Sequence, residues 1–213
     1  MKKGIIFDMD GTLWDSADNV AVSWNIAMEK FGYRRQPLTG KDISSVMGKT
    51  MDKIAEILFA DLEEGPRKEL LDCCCEEENE YLRQHGGILY PDIRETMEVL
   101  KKSDYHLYIV SNCQAGYIEA FLDYYKLWDM IEDIECFGKN GKPKGENIAD
   151  LAHRNQLDKA VYVGDIQGDY DATMEAGLPF IHAAYGFGTI KQLVPAIAEF
   201  KELLEVVKTV FES

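Results

Sequence analysis

The sequence contains no long hydrophobic run and few prolines or histidines. Among its 213 residues there are 6 prolines and 4 histidines. No stretch approaches the ~20 apolar residues that a membrane-spanning helix requires. Near the start only three apolar side chains are consecutive, Ile5, Ile6 and Phe7, which is too few for the apolar core of a secretion signal. We therefore expect a cytoplasmic protein with no membrane partner.

Cysteines are few and poorly placed for a zinc site. Cys73, Cys74 and Cys75 are consecutive, whereas Cys113 and Cys136 stand alone, so that no CxxC pair exists. Adjacent residues of a helix point ~100° apart, and the three neighbouring thiols could not converge on one ion. We expect all five cysteines to be reduced thiols.

Basic residues are scarce relative to acidic ones. Lysine and arginine number 23 against 38 aspartates and glutamates, which gives a formal net charge of −15. Such a surface repels the backbone of nucleic acids, so we expect no nucleic-acid partner. A small anionic substrate would have to be captured locally, by a metal ion or a positioned lysine. The length suits one main domain with an insertion.

Short apolar runs, each ended by polar residues, recur along the chain. The runs cover residues 5–7, 107–110 and 161–163, and they end at Asp8, Ser111 and Gly164-Asp165. Runs that are apolar at successive positions are typical of strands buried on both faces of a parallel sheet. From residue 86 onward the runs alternate with helical patterns, which predicts a doubly wound, Rossmann-like α/β core. The polar residues would then meet at the carboxyl edge of the sheet, where such folds bind ligands.

Residues 15–85 interrupt the alternation of strands and helices. They contain apolar stripes at helical spacing, such as Val20, Trp24 and Ala27, and no convincing strand. This predicts an α-helical cap domain over residues 15–85, inserted into a core domain formed by residues 1–14 and 86–213. The Gly86-Gly87 pair would form the hinge.

Acidic clusters follow two of the apolar runs. Asp8 and Asp10 precede Gly11, and Asp165 and Asp169 belong to the second cluster. The first cluster alone is equally consistent with a turn or a helix cap, because aspartate and glycine are common there. Two clusters at one sheet edge would form an anionic site for a hard cation, and Mg²⁺ prefers oxygen ligands.

These motifs resemble those of the haloacid dehalogenase-like superfamily, in its branch with a helical cap after the first motif. FDMDGTL at residues 7–13 is similar to the first motif of that family, and VSN at 110–112 to the second. GKPKGENI at residues 141–148 supplies the lysine of the third motif, and VGDIQGD at 163–169 resembles the fourth. The resemblance covers almost the whole chain, although the cap is matched by position and helical character.

The resemblance implies roles for the acids. Asp8 would be the nucleophile that forms an aspartyl-phosphate, and Asp10 the general acid and then the general base. The Mg²⁺ site would comprise Asp8, the backbone carbonyl of Asp10 and Asp165. Asp169 would belong to the same site by orienting ligand waters or the lysine.

The resemblance also implies residues that contact the substrate. Ser111 would hydrogen-bond a phosphoryl oxygen, with Asn112 and Thr12 as further substrate-binding residues. In the cap, Lys49 of the Gly48-Lys49-Thr50 loop is a candidate substrate-binding residue, although we favour the interpretation of an exposed lysine without such a role.

Two lysines compete for the catalytic position of the third motif. Lys142 precedes a proline, as the equivalent lysine does in many members of the family. Lys144, however, has the better spacing to the helix that follows. We favour Lys144 and keep Lys142 as the alternative.

The function implied by the resemblance is that of a Mg²⁺-dependent phosphatase. Its substrate would be a small phosphorylated metabolite, such as a sugar phosphate or phosphoglycolate, and the protein a monomer or weak homodimer. A phosphomutase is the alternative, disfavoured because basic cap residues are sparse: Lys49, Arg34 and Arg35. A regulatory module without catalysis is disfavoured because every chemical position is filled. The family's dehalogenases lack an acid at the position of Asp10, which disfavours that chemistry too.

Overall fold

The computed structural model of the protein describes residues 1–212. Its strands are β1 (Lys3–Phe7), β2 (Trp14–Asp15), β3 (Ile88–Leu89), β4 (Tyr105–Ser111), β5 (Asp133–Cys136), β6 (Lys159–Gly164), β7 (Phe180–Ala183) and β8 (Ala196–Ile197). Its helices are α1 (Ala17–Phe31), α2 (Gly40–Ser44), α3 (Met51–Leu58), α4 (Glu64–His85), α5 (Ile93–Lys102), α6 (Tyr117–Tyr125), α7 (Phe137–Asn140), α8 (Lys144–Arg154), α9 (Gln167–Glu175) and α10 (Leu203–Glu212). A 3₁₀ turn, Phe200–Glu202, precedes α10.

Six of the strands form one parallel sheet in the order β5-β4-β1-β6-β7-β8. From β1 the chain continues to β4 and β5 on one side and then returns to β6, β7 and β8 on the other. This is the doubly wound α/β fold that the alternation of apolar runs and helical patterns predicts, and the prediction is confirmed. The carboxyl ends of β1, β4 and β6 therefore lie side by side at one edge.

The central strands are buried because apolar side chains point to both faces of the sheet. Along β1, Ile5 and Phe7 pack in the larger hydrophobic core, whereas Ile6 packs in the smaller core on the other face. All three side chains have no exposed surface. The same alternation holds in β6, where Val161 faces the larger core and Tyr162 the smaller one. Helices cover both faces, as parallel sheets require.

The helices α1 to α4 form an insert between β1 and β4. The helix α1 ends at Gly32, whose left-handed backbone (φ 80°) is the usual conformation after a helix terminus. Within the insert the rings of Trp24 and Phe59 stack, with centroids 5.7 Å apart.

Two short strands connect the insert to the core. The strand β2 pairs with β3 in antiparallel orientation, Trp14 opposite Leu89 and Asp15 opposite Ile88. The two segments that connect the core to the insert are therefore paired with each other as a two-stranded ladder. None of the helices within residues 1–212 is long and apolar enough to cross a membrane. The five cysteines are free thiols, as expected.

Candidate active site

The first acidic cluster occupies a tight turn directly after β1. The backbone N–H of Asp8 donates to the carbonyl of Val163 at 2.9 Å, so strand pairing continues to this residue, and its side chain is buried. Gly11 has φ +84°, and a Cβ there would lie 2.1 Å from Oδ2 of Asp165. A glycine is required at this position because the turn passes against the second acidic cluster.

One buried lysine joins the two clusters. Nζ of Lys144, the first residue of α8, lies 2.7 Å from Oδ1 of Asp8 and 2.6 Å from Oδ1 of Asp169. Burial opposes its charge, but Asp169 and Asp8 outweigh that effect and hold the pKa of Lys144 well above the ordinary value. Lys142 instead pairs with Asp150 at the surface. Of the two candidate lysines, the fold brings Lys144 to the acids.

Three buried acids form a compact oxygen cluster. Asp8, Asp165 and Asp169 each offer a carboxylate oxygen, and these atoms lie within 4.8 Å of one another. Oδ2 of Asp169 accepts hydrogen bonds from the backbone N–H groups of Asp165 and Ile166, at 3.0 and 3.2 Å. Oδ2 of Asp165 accepts one from the backbone of Phe187 at 2.7 Å. The orientation of the cluster is therefore set by main-chain donors.

The charge of this cluster is not balanced by Lys144 alone. Burial, with the charges of Asp169 and Asp8, raises the pKa of Asp165 to about 8. Burial also raises the pKa of Asp8 to about 7, although Lys144 lowers it. Hard oxygen donors with excess negative charge are the ligand set that Mg²⁺ prefers. The residues present therefore fit a magnesium ion.

The carboxylate of Asp10 lies apart from that cluster and has its own donors. Oδ1 accepts hydrogen bonds from Oγ of Ser16 at 2.6 Å and from the Tyr117 hydroxyl at 2.7 Å. Burial raises the pKa of Asp10 to about 6, against the effect of these two hydrogen bonds. A carboxyl group with such a pKa can exchange a proton near neutral pH. Sequence reasoning missed Ser16 and Tyr117, because their contacts with Asp10 are made only in the fold.

A cleft between the core and the insert gives access to Asp8 and Asp10. Its cavity volume is about 40 Å³, and it is open to solvent. Ser111 and Asn112 line it at the end of β4, and exposed Lys49 lines it from the insert. The amide of Asn112 donates to the carbonyl of Gly48 at 2.9 Å, so this side chain contacts the insert.

Three other residues that the sequence suggested as candidates do not line this cleft. Thr12 is buried outside the lining of the cleft, and its hydroxyl has no hydrogen-bond partner within residues 1–212. Arg35 donates to the backbone carbonyl of Leu58, within the insert. Arg34 is exposed, and neither arginine lines the cleft formed by the described residues.

Glu78 is a further buried acid of the cleft that sequence reasoning missed. It lies on α4, is 4% exposed and accepts a hydrogen bond from Nε1 of Trp24. Burial raises its pKa from 4.5 to about 7. The residues Leu70, Cys74, Glu78 and Leu82 are the buried positions of α4, and their spacing of four is the signal that could have found it.

Replacing the buried lysine is expected to destabilise the fold. In metal-free buffer Lys144→Met should lower the free energy of unfolding by about 3 kcal/mol, because it leaves buried carboxylates without their cation. Lys142→Met removes the exposed lysine and is the matched control, for which we expect no measurable change. Denaturant unfolding of both variants checks this, and equal stability of the two would contradict the assignment of Lys144 as the buried partner.

Replacing Glu78 is expected to change the pH dependence of stability. A folded-state pKa above the unfolded value means that the contribution of Glu78 to stability is greatest below about pH 4.5 and is lost as pH rises through about 7. Glu78→Gln cannot lose a proton, and so should be more stable than wild type by about 3 kcal/mol at pH 8. Melting curves from pH 5 to 8 measure the difference, which should grow with pH. A constant difference would refute the expectation, and exposed Glu76→Gln serves as control.

Comparison with known proteins agrees with this architecture. Residues 5–183 match the family described as haloacid dehalogenase-like hydrolase. The chain is 28% identical over 221 residues to a phosphoglycolate phosphatase of Aliivibrio fischeri, covering 96% of each chain.

Two crystal structures share the fold. A haloacid dehalogenase-like hydrolase from Bacteroides fragilis superposes with a TM-score of 0.81 at 24% identity, covering 95% of this chain and 100% of that one. CbbY from Rhodobacter sphaeroides, in complex with xylulose-1,5-bisphosphate, gives 0.77 at 18% identity, over 95% and 96% of the two chains. On the extent of the family match, this chain belongs to the haloacid dehalogenase-like hydrolases.

Proposed function

We propose that the protein is a Mg²⁺-dependent phosphatase that hydrolyses a small phosphate monoester through an aspartyl-phosphate on Asp8. The observation that carries this proposal is the buried arrangement of Asp8, Lys144 and Asp169, with Asp165 beside them and Asp10 facing the same cleft. The A. fischeri relative is named as a phosphatase, which supports the same reaction class.

In the first step a carboxylate oxygen of Asp8 attacks phosphorus, and the bond between phosphorus and the ester oxygen breaks. Lys144 holds Oδ1 of Asp8, which fixes the carboxylate and favours its ionised form. Asp10 donates its proton to the departing ester oxygen. Such proton transfer contributes about 10²–10⁴-fold to the rate.

In the second step Asp10, now ionised, takes a proton from water as the water oxygen attacks the phosphorus of the aspartyl-phosphate. The bond between phosphorus and Asp8 breaks, and inorganic phosphate leaves. The Ser16 and Tyr117 hydroxyls stabilise ionised Asp10 between the two steps, since both donate to Oδ1. Ser111, which lines the cleft, is the proposed donor to a phosphoryl oxygen.

The metal site of this proposal is formed by Asp8, Asp165 and Asp169, together with the backbone carbonyl of Asp10. When bound there, Mg²⁺ supplies positive charge against the phosphoryl oxygens. Lys144, which holds Oδ1 of Asp8, would act in the same sense. Both reduce the electrostatic repulsion between an anionic ester and the carboxylates of the site.

Hydrolysis is favoured over mutase chemistry by the lining of the cleft. A phosphomutase must bind a bisphosphate intermediate in two orientations, which requires several basic groups. Within the described residues, Lys49 is the basic side chain that lines the cleft from the insert. Water is then the acceptor that Asp10 activates.

A panel of phosphate esters, assayed with and without Mg²⁺, tests this function. We expect release of inorganic phosphate that requires Mg²⁺ and needs no bisphosphate activator. β-Glucose 1-phosphate with a trace of its bisphosphate serves as the discriminating substrate, with phosphate and the isomeric product measured together. Isomerisation that greatly outpaces phosphate release would establish the mutase alternative instead. Absence of phosphate release from every ester would refute the proposal.

A further inference from the structure

The wall of the cleft formed by the insert contains one buried charged side chain that the proposed mechanism does not use. Glu78 lines the cleft together with Asp10, and hydrogen bonds from Trp24 and Gln114 hold its carboxylate. The other residues of that wall are largely apolar: Val20, Ile43, Val46, Met47, Met51 and Ile54. A carboxylate in such a wall costs free energy unless it has partners. Trp24 and Gln114 offset part of this cost, and a donor group on a substrate would offset more of it.

The position of Glu78 relative to Asp10 indicates which part of a substrate it meets. Asp10 protonates the ester oxygen, so the carbon atoms of the leaving group extend from Asp10 into the cleft. Asp10, Glu78 and Tyr117 line the same cleft, and the Tyr117 hydroxyl donates to Oδ1 of Asp10 at 2.7 Å. Glu78 therefore adjoins the space into which the leaving group extends.

The positively and negatively charged side chains that line the cleft differ in their exposure to solvent. Lys49 is exposed, whereas Glu78 is 4% exposed and lines the same cleft as Asp10. Above about pH 7, where Glu78 is ionised, a carboxylate on the leaving group would meet a buried like charge, which repels strongly where water is excluded. A hydroxyl or ammonium group could instead donate a hydrogen bond to Glu78, and hydrogen bonds to an ionised acceptor are the stronger kind.

We propose that Glu78 selects phosphate esters whose leaving group carries a hydrogen-bond donor, a hydroxyl or an ammonium, and rejects those whose leaving group carries a carboxylate. This inference rests on the proposed phosphatase function and narrows its substrate class. It separates this protein from phosphatases of phosphoglycolate, whose leaving group is a carboxylate-bearing alcohol.

Four esters on the same two-carbon frame test the selection. They are phosphoglycolate, 2-hydroxyethyl phosphate, 2-aminoethyl phosphate and ethyl phosphate, compared by kcat/KM at pH 8 with Mg²⁺ present. In the wild-type protein we expect the hydroxyl or amino ester to exceed phosphoglycolate by at least about tenfold, and to exceed ethyl phosphate as well. In Glu78→Gln the ratio of phosphoglycolate to ethyl phosphate should rise about tenfold, since the charge is removed.

Two controls distinguish the effect of removing the Glu78 charge from a general disturbance of the structure. Glutamine keeps an oxygen that accepts from Trp24, and a melting curve verifies that the variant is folded. Glu76→Gln removes an exposed carboxylate from the same helix and should retain the wild-type ranking of the four esters. If Glu78→Gln does not fold, the wild-type ranking alone decides.

The possible outcomes distinguish failure of the inference about Glu78 from failure of the proposed phosphatase function. If phosphoglycolate is the best ester of the series, or if its ratio to ethyl phosphate is unchanged in folded Glu78→Gln, the selection by Glu78 is wrong while the phosphatase function stands. If neither this series nor the wider panel releases phosphate, the proposed function fails and the inference with it.

Discussion

Asp8→Asn is expected to lower phosphatase turnover by about 10⁴-fold or more, because an amide cannot form the phosphoryl bond that the proposed mechanism requires. The substitution preserves shape, and Oδ1 of asparagine can still accept from Lys144. It also removes one of several like charges, since Asp169 and Asp10 both disfavour ionised Asp8. The variant should therefore melt at or above the wild-type temperature in metal-free buffer. Phosphate release and melting curves measure the two effects.

Binding of beryllium fluoride provides an independent measurement on the same variant. This anion mimics a phosphoryl group on an aspartate, so it should inhibit the wild-type protein and fail to bind Asp8→Asn. Intact mass must exclude deamidation of the new asparagine, which would restore the aspartate. Substantial turnover in the folded, intact variant would rule out Asp8 as the nucleophile.

Asp10→Asn is expected to lower turnover by about 10²–10⁴-fold while leaving magnesium affinity nearly unchanged. The loss follows because asparagine can neither protonate the leaving group nor take a proton from water. Magnesium binding should persist because the side chain of Asp10 is engaged by Ser16 and Tyr117 and lies outside the buried acid cluster. Steady-state kinetics and calorimetric titration with Mg²⁺ test the two halves of the expectation.

Asp165→Asn is the matched variant for Asp10→Asn. Its carboxylate belongs to the acid cluster, so we expect a clear loss of magnesium affinity. Equal affinity losses in the two variants would contradict the division between a proton-transferring acid and a metal-binding acid.

The sheet could be predicted from sequence because its strands carry an unambiguous pattern. Residues 5–7 and 161–163 are apolar at successive positions, which suits only a segment buried on both faces, and the structure buries them so. The rule that ligands bind at the carboxyl edge then brings Asp8 and Asp165 together, although they are far apart along the chain. Both acids directly follow a strand, so their positions could be predicted from the sequence and the structure brings them into one cluster.

The surroundings of Asp10 could not be predicted in this way, and the acidic run around Glu78 obscures the helical spacing that indicates its burial. Tyr117 reaches Asp10 only because α6 packs against the turn after β1, which no local pattern records. Glu78 lies in an acidic run, Glu76-Glu77-Glu78, which is typical of a solvated helix face. One residue of that run points inward because it lies four residues after Cys74 on the same buried stripe. Which of these three glutamates is buried therefore depends on tertiary packing.

The β2–β3 ladder has a consequence for the exchange of inserts between proteins of this architecture. Because Trp14 and Asp15 pair directly with Leu89 and Ile88, the two ends of the insert are only about 5 Å apart, the spacing of neighbouring strands. Because its two ends are adjacent, the insert is connected to the core in the same way as the loop of a β-hairpin is connected to its strands. This holds whatever the length of the insert. Loop length adds little to the free energy of closing such a segment. The catalytic sheet could thus acquire a differently shaped insert, with another residue in the place of Glu78, without any change in its own strand order.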